Sequence, residues 1–329
     1  MARSDVPHRG SAADRGRGSR SPDRVGVCPA AIPRGDTVRR STSPPCSPTH
    51  RTPPVTFERT KRHERGRSMD YENVRFSVRN GVASLRLNRP RVRNAMNWAM
   101  LREMAHATKR CIDDPRVRAV LISGEGKSFC AGVDFDEVRA MDDPVEGLRE
   151  FLDTVNDWVR DVRRISCPIV AAIQGHAVGG GLSVALHADI RLAAESATLS
   201  GAFASVGLTN DTASTHLLPR LIGWARAAEM MLTGVSVDAR KALDWGLVSM
   251  VVPDDGLMDA AELMARNLAS GATVAYGLIK ELLRRSMHNP LDAQLDLERE
   301  AICKAAATAD FAEALEAVAE RRPPRFEGR

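Results

Sequence analysis

Aromatic residues are scarce, with Phe, Trp and Tyr making up 4% of the 329 residues. A core must therefore come from the aliphatic and methionine side chains that dominate its 43% hydrophobic content. Long apolar runs are missing too. No stretch approaches the roughly 18 apolar residues of a bilayer-spanning helix, so no membrane association is expected. The cysteines Cys28, Cys46, Cys111, Cys130, Cys167 and Cys303 form no CxxC pair and no metal-ligand spacing. They read as isolated thiols in a reducing, cytoplasmic setting, and no metal site is expected.

The net charge of +5 is unevenly spread. Residues 1–68 hold 15 of the 47 Lys+Arg and 6 of the 42 Asp+Glu, which leaves 32 basic and 36 acidic residues for the rest. The basic excess thus lies wholly in the N-terminal stretch, and no nucleic-acid partner is expected for the folded part. That stretch also holds 9 of the 18 prolines and a single aromatic, Phe57. It shows no helical or strand period and too little apolar surface to offset ordering entropy. The expectation for 1–68 is a disordered, basic, Pro/Arg/Ser-rich extension. It has no apolar segment of a secretory signal, and it is too long, Pro-rich and acid-containing for a transit peptide. A misassigned start, with translation beginning at Met69, is a second reading. A basic nucleic-acid arm is a third.

Order is expected from Tyr71. Val74, Phe76 and Val78 alternate with polar residues, Asn80-Gly81 supplies a hairpin turn, and Val82, Leu85 and Leu87 mark a second strand. Apolar spacing predicts a helix from Trp98 to Ile112. Val117 to Ile122, Pro168 to Ile173 and Ile190 to Ala193 read as buried strands. From about Ala260 the pattern is helical. Strands alternating with helices before a helical end indicate an α/β core. The stretch Asp142 to Asp157 reads as irregular.

Two glycine-bearing loops follow buried strands. The first runs Gly124-Glu125-Gly126-Lys127-Ser128-Phe129-Cys130-Ala131-Gly132-Val133-Asp134, with Asp134 placed to cap a short helix. The second runs Gln174-Gly175-His176-Ala177-Val178-Gly179-Gly180-Gly181-Leu182. Glycines that open a helix leave unpaired amides at its positive end, suited to a developing negative charge. The second loop is not a GxxxxGK[ST] phosphate loop, and the GxGxxG dinucleotide pattern is absent.

Ala131-Gly132-Val133-Asp134 with Gly179-Gly180-Gly181, and Asn88-Arg89-Pro90 with Asn94-Ala95-Met96-Asn97 upstream, resemble the signature of the enoyl-CoA hydratase/isomerase (crotonase) superfamily across 69–329. The resemblance implies a spiral of β-β-α units over 69–260 and a helical C-terminal oligomerisation region over 261–329, forming a homotrimer or homohexamer. It implies an acyl-CoA thioester substrate and no separate cofactor, coenzyme A being part of the substrate. It implies an oxyanion hole from the amides of Val133 and Gly180. It also implies an adenine pocket near Ala131 and Val133 with Phe135 close, and a coenzyme-facing loop with Arg91 and Arg93. Lys280, on a helix from Tyr276 to Leu283, is a further candidate for the phosphates. For Arg91 and Arg93 a solvated basic loop is the alternative.

The chain departs from the hydratase pattern where that pattern needs two glutamates. Ser183 stands at the first position and Ala202-Phe203 at the second. Paired acid/base groups on one water are thus missing. Asp211 offers one carboxylate, at a position where some isomerases of the superfamily carry an acid. The ring-1,2-epoxyphenylacetyl-CoA isomerases are among them. Leu291 to Arg299 and the ending Arg321 to Gly328 also resemble that subgroup, pointing to fatty-acid or phenylacetate breakdown. The expectation is an isomerase with Asp211 as proton shuttle, burial beside Phe203 raising its pKa. The competing role for Asp211 is an N-cap. Ser183 either bonds substrate or faces a neighbouring helix. The alternatives for the whole chain are a hydratase or other crotonase chemistry, or a non-catalytic acyl-CoA binder.

Overall fold

The computed structural model describes residues 71–329, so the expectations for residues 1–68 lie outside it. The described chain opens with an antiparallel hairpin of β1 (Val74–Arg79) and β2 (Val82–Leu87). Its turn residues Asn80 and Gly81 have φ of 50° and 79°, the double positive φ that matches a two-residue turn to strand twist. Helix α1 (Trp98–Asp113) starts at Asn97, whose side chain accepts from the Met100 amide. β3 (Ala119–Gly124) follows, then α2 (Phe135–Arg139), α3 (Pro144–Val162) and β4 (Ile169–Ile173). Next come β5 (His176–Val178), α4 (Gly180–Leu186), β6 (Ile190–Ala194), β7 (Thr198–Ser200), α5 (Ser214–Ile222) and α6 (Trp224–Thr233). β8 (Ser236–Asp238), α7 (Ala239–Asp244) and β9 (Met250–Val252) lead into α8 (Leu257–Ala269), α9 (Thr273–Ser286), α10 (Leu291–Ala306) and α11 (Ala309–Ala319).

The main sheet has six strands in the order β1-β2-β3-β4-β6-β9, parallel from β2 onward. A second sheet joins β5, β7 and β8. Every residue of β3 and β4 is buried. Continuous aliphatic strands of this kind belong to a parallel sheet covered on both faces, which explains how a chain so poor in aromatics builds its core.

Two expectations are corrected here. Asp142 to Asp157 is not irregular, because α3 spans Pro144–Val162 with Asp143 accepting from the Val145 and Glu146 amides. Its buried residues Phe151, Val155, Trp158, Val159 and Val162 keep helical spacing. The boundary at residue 260 also falls inside α8, which packs on β3, β4 and β6 through Leu257, Ala261, Ala265 and Ala269. That helix belongs with the sheet, and the outer helical block begins at α9.

One buried carboxylate fixes the start of the fold. Glu103, 5% exposed on α1, accepts from the Asn73 and Val74 amides at 2.8 Å each and from Asn73 Nδ2 at 2.9 Å. Glu103→Gln keeps one oxygen for the two main-chain amides and turns an NH₂ group toward Asn73 Nδ2, donor against donor. The expected loss is about 1–3 kcal/mol, read from the urea midpoint at unchanged slope.

Candidate active site

The two glycine-bearing loops are brought together by backbone hydrogen bonds, and the first is held in place by one buried side chain. The Cys130 amide donates to His176 O and the Val178 amide to Cys130 O, each at 3.0 Å. This parallel bridge runs between the two loops. Asn94 is fully buried with φ 57°. Its Nδ2 donates to the carbonyls of Glu125, Ser128 and Phe129, and its Oδ1 accepts from the Arg89 amide. Asn is one of the few residues that tolerate this backbone and can still make such bonds. Arg89 in turn pairs with Asp134 at 2.7 Å, and Asp134 caps α2 by accepting from the Asp136 amide. The Asn-Arg-Pro and Asn-Ala-Met-Asn segments are thus struts for the first loop.

The second loop depends on glycine at two points. Gly179 has φ 54° and ψ −121°, a conformation closed to residues with a side chain, and it turns over the peptide that carries the Gly180 amide. Gly181 lies so near the first loop that a Cβ there would overlap the Cys130 carbonyl oxygen. A Cβ built on Gly132 would stand 3.6 Å from the Gly180 nitrogen. Val133 and Gly180 line one cavity. Among the described residues, neither amide donates to a protein acceptor.

That cavity has a free volume of about 30 Å³. Met96 and Met104 line it on the α1 side, Phe151, Val155 and Trp158 on α3, and Phe203 closes it near Gly179. Asp211 and Thr212 complete the wall. Asp211 is the lone ionisable side chain among those lining residues. Burial pushes its pKa upward, opposed by the bond from its neighbour's hydroxyl. Thr212 Oγ1 donates to Asp211 Oδ1 at 2.7 Å.

The capping alternative for Asp211 fails on geometry. The N-cap of α5 is Ala213, without a side-chain bond. The Ser214 amide and hydroxyl both donate to the main-chain oxygen of Asp211, not to its carboxylate. The carboxylate is left to the cavity.

Other predicted positions fall apart from this group. Ser183 is fully buried and its hydroxyl donates back to Gly179 O at 3.1 Å, so it faces its own helix and does not line the cavity. Lys280 is 7% exposed, pairs with Asp189 at 2.6 Å and donates to Cys167 O at 2.6 Å. Its expected role at a phosphate is therefore corrected to an internal strut. Arg91 and Arg93 are exposed on the loop before α1, and the Arg93 carbonyl accepts from the Ala131 amide at 3.0 Å. Phe135 is 42% exposed at the start of α2. Burial pushes the Cys130 thiol up to about 12 and its Sγ donates to Asn94 O, so the cysteine of the first motif packs and does not react. Among the described residues no His/Cys/Asp/Glu group could hold a metal, and no helix is long and apolar enough to cross a membrane.

Sequence reading missed Thr212, Met96 and the α3 wall. The α3 signal was present in the spacing of Phe151, Val155, Trp158 and Val162 after Asp143-Pro144. Thr212 carried no signal, since its partner is the residue beside it.

A mostly parallel sheet whose strand-end loops close over one apolar cavity is the arrangement of an α/β protein with its ligand site at the strand ends. The family model described as enoyl-CoA hydratase/isomerase matches residues 77–329. The chain is 38% identical over 261 residues to 1,2-epoxyphenylacetyl-CoA isomerase of Escherichia coli strain K12, covering 78% of this chain and 99% of that protein. It is 34% identical over 255 residues to short-chain-enoyl-CoA hydratase of Clostridium acetobutylicum, covering 77% and 97%. A crystal structure of enoyl-CoA hydratase from Bacillus anthracis aligns with a TM-score of 0.75 at 33% identity, covering 78% of this chain and 100% of that one. The chain belongs to the enoyl-CoA hydratase/isomerase family.

Proposed function

We propose that this protein is an acyl-CoA isomerase in which Asp211 moves a proton along a thioester enolate. The observation that supports this most is a single carboxylate in an apolar cavity lined also by two unengaged amides. A hydratase of the two-carboxylate kind needs a second acid on the same water, and none lines this cavity among the described residues. The resemblance to an isomerase of epoxyphenylacetyl-CoA favours the same reading. The resemblance to a short-chain hydratase leaves room for the other.

In the proposed reaction the Asp211 carboxylate takes a proton from the carbon α to the thioester. The C–H electron pair becomes the enolate double bond, and negative charge moves onto the carbonyl oxygen. The Val133 and Gly180 amides donate to that oxygen. Protonated Asp211 then delivers its proton to the γ carbon, the enolate collapses to the thioester, and the double bond has moved from β–γ to α–β. Atoms and charge balance without a cofactor, coenzyme A entering as part of the substrate. Ala131 and Phe135 would flank its adenine, and Arg91 and Arg93 its phosphates. Because the free volume is about 30 Å³, an acyl group enters only if the walls formed by α1, α3 and Phe203 part. Exposed Ile279, Leu283, Leu291, Ile302, Leu315 and Val318 on α9 to α11 support a homotrimer or homohexamer.

The deciding assay offers the protein trans-3-hexenoyl-CoA and aromatic-derived esters, then analyses products by mass. Positional isomers of unchanged mass are expected. Accumulation of a product heavier by one water would replace isomerase by hydratase, and inertness across the panel with retained ester binding would make the chain a binder.

A further inference from the structure

We propose that His187 is a positioning residue: from the end of α4 its imidazole holds the left-handed turn that aims Asp211 into the cavity. The inference rests on the reading of Asp211 as proton shuttle. His187 is buried and its Nε2 lies 3.1 Å from the carbonyl oxygen of Thr212. A carbonyl only accepts, so Nε2 carries the hydrogen. The turn it grips is strained. Thr212 and Ala213 have φ of 52° and 60°, two successive left-handed residues with neither a glycine, the first of them β-branched. Strained backbone persists only where its surroundings over-determine it. Here the strain sits one bond from the carboxylate, because the Thr212 hydroxyl donates to Asp211 Oδ1 at 2.7 Å.

The ring is itself fixed. Trp158 meets it edge-on at 5.4 Å and 88° between planes, and Trp158 Nε1 donates to Thr108 Oγ1 at 3.0 Å. Burial first, then the charges of Arg163 and Arg284, push His187 down to about 4, against the bond to Thr212. The imidazole therefore stays neutral at working pH and keeps its hydrogen on Nε2. Through α4, one short helix supplies an amide at its first residue, Gly180, and the brace of the acid just past its last, Leu186. A shift between the two ends would misalign the oxyanion donor and the proton carrier together.

The test compares His187→Leu, which removes the donor, with His187→Gln, which keeps an N–H, using trans-3-hexenoyl-CoA. For His187→Leu, kcat should fall about 10- to 100-fold, as small misplacements of reacting groups do, with KM within about twofold. The acid limb of the kcat/KM profile should move to lower pH, because a released Asp211 loses the burial that raises it. His187→Gln should recover most of the rate. Ala213→Gly relieves the turn without removing a functional group, so on that background His187→Leu should cost measurably less. Unchanged kcat and acid limb in His187→Leu would overturn the proposal. So would a Gln variant no better than Leu at equal Tm, or additive losses in the cycle. Should the Leu variant not fold, His187→Met, which also lacks the donor, takes its place in the cycle with Ala213→Gly, and additivity there overturns the proposal as well. Active Asp211→Asn would instead remove the proton-shuttle reading itself, a result that the His187 variants alone cannot produce.

Discussion

Asp211→Asn is expected to bind an acyl-CoA ester as the parent does and to lose turnover by about 10²- to 10⁴-fold, the range for removing a positioned acid–base group. The substitution keeps size and polarity, and the amide can still accept from the Thr212 hydroxyl. What it removes is the capacity to hold a proton in transit. Single-turnover kinetics and ester affinity, measured together, separate the two effects, and retained turnover would end the mechanism. The pH dependence has a definite sign. Asp211 must be ionised to take the first proton, and burial raises its pKa. The acid limb of the parent rate should therefore lie above the ordinary aspartate range and vanish in the variant.

The same burial sets a stability effect of the opposite sense. A carboxyl whose folded pKa lies above its unfolded one favours folding while protonated, fully so below the unfolded pKa. That contribution is lost as pH rises through the folded pKa. Wherever Asp211 is ionised it is thus a cost to the fold, and there Asp211→Asn should melt no lower than the parent. A variant that is at least as stable and far less active is what a group kept for chemistry produces. A capping residue would instead keep activity in Asp211→Asn and lose stability only on truncation to Ala.

The parts of the site legible in sequence were those that act through backbone. Gly132, Gly179 and Gly181 are constrained by close approach or by φ, so residue type reports their geometry directly. Asp211 was legible as a chemical group but not as a placed one, because a cap and a cavity acid share the same local pattern. Lys280 and Ser183 misled for a related reason. Each is a polar residue on a helix, and its spacing does not say whether the partner is a ligand, a distant carboxylate such as Asp189 or a carbonyl one turn back such as that of Gly179. The α3 wall was hidden by Asp142-Asp143-Pro144 and Gly147, which suggest a loop, although Pro144 sits at the first helical turn where proline is at home. The left-handed pair Thr212 and Ala213 could not be read at all, since neither residue type favours that conformation.

Replacing the amide N–H of Val133 or of Gly180 by an ester oxygen, through hydroxy-acid incorporation, is expected to lower kcat about 10²- to 10³-fold at each position, the effect of losing one oxyanion donor. No side chain changes, and neither amide has a protein acceptor among the described residues, so any stability loss should come from the weaker ester carbonyls of Gly132 and Gly179, which accept from Met96 and Ser183. Ala131 supplies the contrast. Its amide is two residues from Val133 and donates to the Arg93 carbonyl. An ester there should reduce stability by about 0.5–1.5 kcal/mol and leave chemistry nearly intact. Equal losses of rate at Val133 and Gly180 would mean that both loops serve one oxygen. A loss at only one would assign the other loop to packing, and the enolate would then rest on a single donor and the positive end of α4. Unchanged rates at both positions would remove the oxyanion hole, and with it the reason for two chain segments so far apart in sequence to be tied by the bridge between Cys130 and Ala177.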